Sequence, residues 1–194
     1  MRDAGNVVVL DHVASGALYQ DYTMLFGNFN TFKTDVKLSA GKFYYELVIR
    51  HIPGKSAYFG WATEDFVSST KRTPGAGQFV GGNAFSWAFG FYQGKVVKCA
   101  NDASGEGSAF GVAWQEGDVL GLACDMVNKS VSFSVNGSFQ PPLGVAFQNI
   151  AAASIAPAFS AWNGCKVVAN FGQLPLKHAP PDETYVSVHA AAQK

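Results

Sequence analysis

The residues able to do chemistry are few and scattered. The four histidines, His12, His51, His178 and His189, fall far apart, with His51 beside a strand-like run and His178 among prolines. No serine sits in a Gly-x-Ser-x-Gly elbow, the strained turn that exposes a nucleophile. Glu64-Asp65 and Asp182-Glu183 are adjacent carboxylates without a neighbouring histidine or metal-ligand partner, and acid–base catalysis needs positioned groups with shifted pKa values. Cys99, Cys124 and Cys165 are odd in number and contain no Cys-x-x-Cys pair. That excludes a zinc finger or RING-type site and leaves buried free thiols in a reducing compartment as the expectation. Gly75-Ala76-Gly77 starts like a dinucleotide fingerprint, but Val80 replaces the third glycine and no helix pattern follows, so the phosphate cradle is rejected. Neither an enzyme, a cofactor nor a metal site is expected.

Charge narrows the partners. Fourteen basic residues balance fourteen acidic ones, so the chain lacks the basic field that nucleic acid or an anionic membrane requires. No apolar run approaches membrane-spanning length, and Met1 to Asp11 carries no signal-peptide pattern. A soluble intracellular protein is expected, cytoplasmic or nuclear, and monomeric. Asn128-Lys129-Ser130 and Asn136-Gly137-Ser138 then read as turn chemistry rather than glycan acceptors.

The elements that would hold any site are short strands. Val119 to Met126 is almost wholly apolar, as for a strand covered on both faces. Ser130 to Val135 alternates strictly and predicts one buried and one wet face. Asn136-Gly137 then turns the chain, both residues tolerating positive φ. Phe43–Arg50, Ala57–Thr63, Ala84–Gln93, Lys95–Cys99, Ile155–Ala161 and Lys166–Phe171 are further strands, and Gly60 marks a close backbone approach or a bulge. Weaker strand signals lie at Asn6–Leu10, Tyr22–Phe26 and Lys33–Leu38. Pro141-Pro142 is expected to end pairing, leaving 144–150 irregular. With no helix of ordinary length, an all-β fold of two packed antiparallel sheets is predicted, a closed barrel being the alternative. One domain over 1–178 and a C-terminal tail over 179–194 are expected. Trp61, Trp87, Phe133 and Phe171 belong to the core, and Asp118 and Asp125 serve backbone donors at turns.

Gly41-Lys42-Phe43-Tyr44-Tyr45-Glu46, Phe59-Gly60-Trp61-Ala62-Thr63, Ser86-Trp87, Glu116-Gly117-Asp118-Val119-Leu120-Gly121, Asp125, Ser132-Phe133-Ser134-Val135-Asn136-Gly137 and Asn170-Phe171-Gly172 follow in order. Together they resemble the SPRY domain of the SPRY/B30.2 family over about residues 41–172. The resemblance implies a bent, concanavalin-like antiparallel β-sandwich with few or no helices. It also implies a non-catalytic module that grips a linear segment of a partner protein through loops at one end, as a substrate receptor or scaffold. Aligned on Ser86-Trp87, the leucine that family receptors use falls on Phe79, their aromatic on Ala76, and their late Trp-Gly run on Ala161-Trp162-Asn163-Gly164. Ala76 departs from the pattern, Asn163 is inserted, and the receptors' basic first loop has no match near Asn28 to Lys33.

The candidate binding residues are therefore Lys71, Arg72, Phe79, Trp162, Asn163 and Gly164, in the loops 64–83, 100–110 and 161–165. Lys71-Arg72 would meet acidic partner residues, or simply be solvated. Trp162 is a loop-tip anchor or a lid on the core, and Phe79 carries the same ambiguity. As anchors, Trp162 and Phe79 could be truncated with little loss of stability. A lectin-like sandwich stacking sugars on exposed aromatics is the competing reading.

Overall fold

The computed structural model describes residues 10–11, 17–20, 23–26, 30–67, 79–162 and 164–193. Strands run in chain order as β1 Leu10–Asp11, β2 Ala17–Gln20, β3 Thr23–Phe26, β4 Asn30–Thr34, β5 Lys42–His51, β6 Ala57–Thr63, β7 Ser86–Tyr92 and β8 Lys95–Ala100. They continue as β9 Ser108–Ala109, β10 Val119–Asp125, β11 Ser130–Val135, β12 Gly144–Gln148, β13 Ile155–Ala161, β14 Lys166–Asn170 and β15 Val186–Ser187, followed by the one-turn helix α1, Val188–Ala192. A seven-stranded sheet has the order β1-β4-β13-β6-β7-β8-β9, and an eight-stranded sheet β12-β11-β10-β5-β14-β3-β2 with β15 added to β5. This is a two-sheet antiparallel sandwich, as the spacing of the strands predicts.

Aromatic residues from both sheets fill the space between them. Phe89 of β7 stacks on Phe133 of β11 with ring centroids 5.4 Å apart. Tyr45 of β5 meets Trp61 of β6 edge-on at 5.0 Å, and its hydroxyl donates to the Gly60 carbonyl at 2.6 Å. Offset and edge-on geometries of this kind add to the area each ring buries. Trp61, Trp87, Phe133 and Phe171 all lie in this core.

Two backbone features explain how the central strands fit. A Cβ on Gly60 would run into the Trp87 carbonyl of β7, and the β6–β7 ladder has no register shift, so Gly60 serves a close approach rather than a bulge. Pro157 stands in the middle of β13, a position that normally rejects proline. Ile155 exchanges both backbone bonds with Leu38, so by strand alternation Pro157 faces the same side, opposite Thr34, where β4 ends.

The structure differs from the sequence expectations in three places. Residues 144–148 form β12 instead of an irregular segment; the two prolines occupy the turn before it, and an extra residue opposite Val131/Ser132 breaks its alternation. Ser132 and Ser134, expected on a wet face, are buried. They share the outer face of the eight-stranded sheet with Tyr44, whose ring lies 6.4 Å from that of Phe139, and with Glu46, which the segment after Asn170 meets. The expected tail accordingly returns to the body: Val186 and Ser187 pair in parallel with Phe43 and Tyr44, and Val188 is fully buried. The edge strand expected at Asn6–Leu10 lies outside the described residues except at Leu10.

Candidate interaction surface

Small side chains make the outer face of the seven-stranded sheet shallow. Along β13, Ile155, Phe159 and Ala161 point into the main core, whereas Ala158 joins a second cluster on the other side. That cluster collects Tyr58, Ala62, Ala88, Val97 and Cys99 from β6, β7 and β8, and Phe66, Phe79 and Val80 from the β6–β7 connection. The connection is laid over the sheet because its apolar residues find this outward-facing patch.

Hydrogen bonds fix its descent. The Val80 amide donates to Ser160 Oγ at 2.9 Å, and Ser160 Oγ bonds Thr31 Oγ1 at 2.8 Å. Gly81, with φ of +92°, donates to Ser86 Oγ at 2.8 Å and leaves no room for a Cβ against the Cys99 carbonyl. The β8–β9 loop closes on the same place. Asp102 donates its amide to the Gly81 carbonyl, and the Tyr58 hydroxyl donates to the Gly105 carbonyl at 2.9 Å. Asp102 is the loop's knot, accepting from the Ser104 hydroxyl and amide and the Gly107 amide, and these bonds hold its carboxyl below the ordinary range.

Phe79 is only 5% exposed, and its ring lies 4.9 Å from that of Tyr58. This corrects the expectation that Phe79 could be truncated without cost to stability, because the side chain is part of a packed cluster. Trp162 is 48% exposed. It follows Ala161, two residues beyond Ser160, in a turn held at several points. Its amide donates to the Ser56 carbonyl at 3.2 Å, its carbonyl accepts from Cys165, and the Gly164 amide donates to the Phe26 carbonyl at 2.7 Å. Gly164 has φ of +84°, the region where a side chain is strained. Lys71, Arg72 and Asn163, and the departing position Ala76, lie outside the described residues.

The loops do not leave the sandwich at one end. Ala57 pairs with Ala161, beside Trp162, whereas Thr63 pairs with Ile155 at the far end of the same ladder. The connection after Thr63 starts at that far end, and its described residue Phe79 lies against Tyr58, which pairs with Ser160. Phe79 and Trp162 thus come to the same margin of the sheet by way of its face. Tyr58 and Val80, absent from the sequence-derived candidates, form the platform; the period-2 pattern that buries Phe59 inward also sends Tyr58 outward.

Reactive chemistry is not assembled here. Burial, with Asp102 nearby, pushes the Cys99 thiol up to about 12, and burial does the same to Cys165. Burial also raises Cys124, so none of the three is a thiolate near neutral pH. His51 bonds Glu116 at 2.7 Å on the surface, with no nucleophile in that pair. Among the described residues no group of three or more His, Cys, Asp or Glu gathers as a metal site, and no helix is long and apolar enough to cross a membrane.

A family profile described as the SPRY domain matches residues 42–174. The chain belongs to the SPRY domain family. Heterogeneous nuclear ribonucleoprotein U-like protein 2 of mouse, and that of human, are each 34% identical to it over 117 residues. The match takes in 57% of this SPRY chain and 14% of either relative. The crystal structure of the SPRY domain of human HERC1 superposes with a TM-score of 0.60 at 19% identity, covering 82% of this chain and 94% of that one; the likeness establishes the shared fold. SPRY domains are generally protein-interaction modules and typically non-catalytic.

Proposed function

We propose that this SPRY domain holds a short linear segment of a partner protein along the outer margin of its seven-stranded sheet, with Trp162 as the anchor. The observation that carries the reading is the half-exposed indole of Trp162 in a turn pinned by the backbone of Ser56, Phe26 and Cys165. Presenting an aromatic on a rigid support costs little ordering entropy on binding, which is how interface anchors gain their weight. The Phe79–Tyr58 pair supports the segment's path from beneath, while Lys71, Arg72 and Asn163 tune its preference for acidic residues. A balanced net charge favours protein over nucleic acid as the partner. The domain acts as the recognition part of a receptor or scaffold in an intracellular setting, as a monomer.

The test is a paired capture from cells with the wild-type chain and Trp162→Ala, followed by overlapping peptides from the proteins lost in the variant. At least one peptide should bind the wild type and lose about tenfold or more in affinity with Trp162→Ala, the scale of an interface anchor. Equal capture by both forms would sink the reading. A Trp162-dependent signal on a glycan array with no peptide hit would replace the peptide by a sugar.

A further inference from the structure

Residues 173–193 lie against β5 and the end of β14 in the eight-stranded sheet and are held there chiefly by polar contacts. β14 stops at Asn170, opposite Glu46, and the adjoining edge of β5 at Phe43 and Tyr44 is taken instead by β15. On the way there the Asn170 side-chain amide donates to the Pro175 carbonyl at 3.1 Å. The backbone amides of Lys177 and His178 then donate to the two carboxylate oxygens of Glu46, each at 2.8 Å. Glu46 is fully buried. Asp182 pairs with Lys42 at 3.5 Å, Tyr185 lies 5.3 Å from the same ammonium, and the His189 amide donates to the Phe171 carbonyl. Within 173–193 only Val188 is buried.

We propose that residues 173–193 form a strap that detaches as one unit from an otherwise intact sandwich, with the Glu46 carboxylate as its clasp. Cooperative stability comes chiefly from apolar burial, and this segment contributes one buried side chain, Val188, with Ala191 and Ala192 packed against the core at partial burial. Its hydrogen bonds are exchanged for bonds to water at small net cost on opening. Opening also rehydrates a buried carboxylate, which offsets part of what the clasp contributes. Segments with this balance open below the free energy of global unfolding. The family match ends at residue 174, so all but the first two residues of the strap lie beyond it. Release uncovers Glu46 together with the β5 edge at Phe43 and Tyr44.

Amide hydrogen exchange on the full chain tests the proposal. In the wild type, the amides of Lys177, His178, Ser187 and His189 should share one rate, at least about tenfold faster than Leu122 and Phe133 in the β10–β11 ladder. Glu46→Gln, which removes the charge and one acceptor oxygen, should speed the strap set by about a further tenfold and leave Leu122 and Phe133 unchanged. Asp182→Asn, at an exposed position, should move the strap set in the same direction by a smaller factor. Strap amides as slow as Leu122 and Phe133 would overturn the proposal, because the segment would then open only with the whole domain. Unrelated rates within the strap set, or equal acceleration of both sets by Glu46→Gln, would overturn it as well.

Discussion

The two sheets present outer faces that are both covered, by opposite means. The seven-stranded sheet is covered by an apolar connection: Phe66, Phe79 and Val80 pack on Tyr58, Ala88 and Cys99, and hydrogen bonds only place them. The eight-stranded sheet is covered by a polar segment that hangs on Glu46, Asn170 and Lys42 and buries one apolar residue. An apolar cover shares the stability of the sheet beneath it and gives a rigid base for an exposed tryptophan. A hydrogen-bonded cover can be exchanged for water. The difference suits the first face to the recognition proposed for it and the second to the proposed opening.

Substitutions break or sharpen this contrast, and the largest effect lies in the layer both faces share. Phe133→Asp places an unpaired charge against Phe89 between the sheets; it should abolish the cooperative melt seen by circular dichroism, a loss above about 4 kcal/mol. Phe79→Ala should cost about 3 kcal/mol in urea unfolding, the usual result of emptying a buried aromatic site. A loss below about 1 kcal/mol would show that the connection does not share the sheet's stability. Tyr58→Phe removes the bond to the Gly105 carbonyl and should cost about 1 kcal/mol by the same measurement. Trp162→Ala should cost less than about 1 kcal/mol, since half the ring is already in water, while partner affinity falls.

Acid tests the polar face. Burial alone would raise the Asp125 carboxyl, but the amides of Asn128 and Val127, the Asn128 side chain and Lys42 outweigh it and hold the group below its ordinary value. A depressed folded pKa contributes stability that is complete above the unfolded value of about 3.9 and is lost as pH falls through the folded one. Stability should therefore decline below about pH 4, and Asp125→Asn should flatten that decline. An unchanged acid slope in the variant would remove Asp125 from the account.

Much of the sandwich was legible because its central strands carry unambiguous patterns. Ala57–Thr63, Ser130–Val135 and Ile155–Ala161 have the same limits in the sequence reading and in the structure. β12 was not legible, since its extra residue puts Ala146 and Phe147 out of the period-2 pattern. The burial of Ser132 and Ser134 was not legible either. It depends on side chains brought from distant parts of the chain, Tyr44 of β5 among them (a Cβ on Gly121 would meet both Tyr44 and Ser134), and no local pattern records such a contact. At the candidate surface, the residue types pointed to Trp162 and Phe79, but their unequal exposure follows from the packing of Phe79 on Tyr58, which no local pattern records.

The three thiols have a practical consequence. Cys99 lies beneath the apolar cover, Cys124 within β10, and Cys165 in the turn that holds Trp162, all buried and all held in the protonated form. A native sample should resist alkylation at neutral pH, because both access and thiolate are withheld. Each cysteine that reacts therefore reports the opening of its own region. The chain carries three built-in reporters, and the order in which they take up label gives the order in which the face, the interior and the anchor turn come apart.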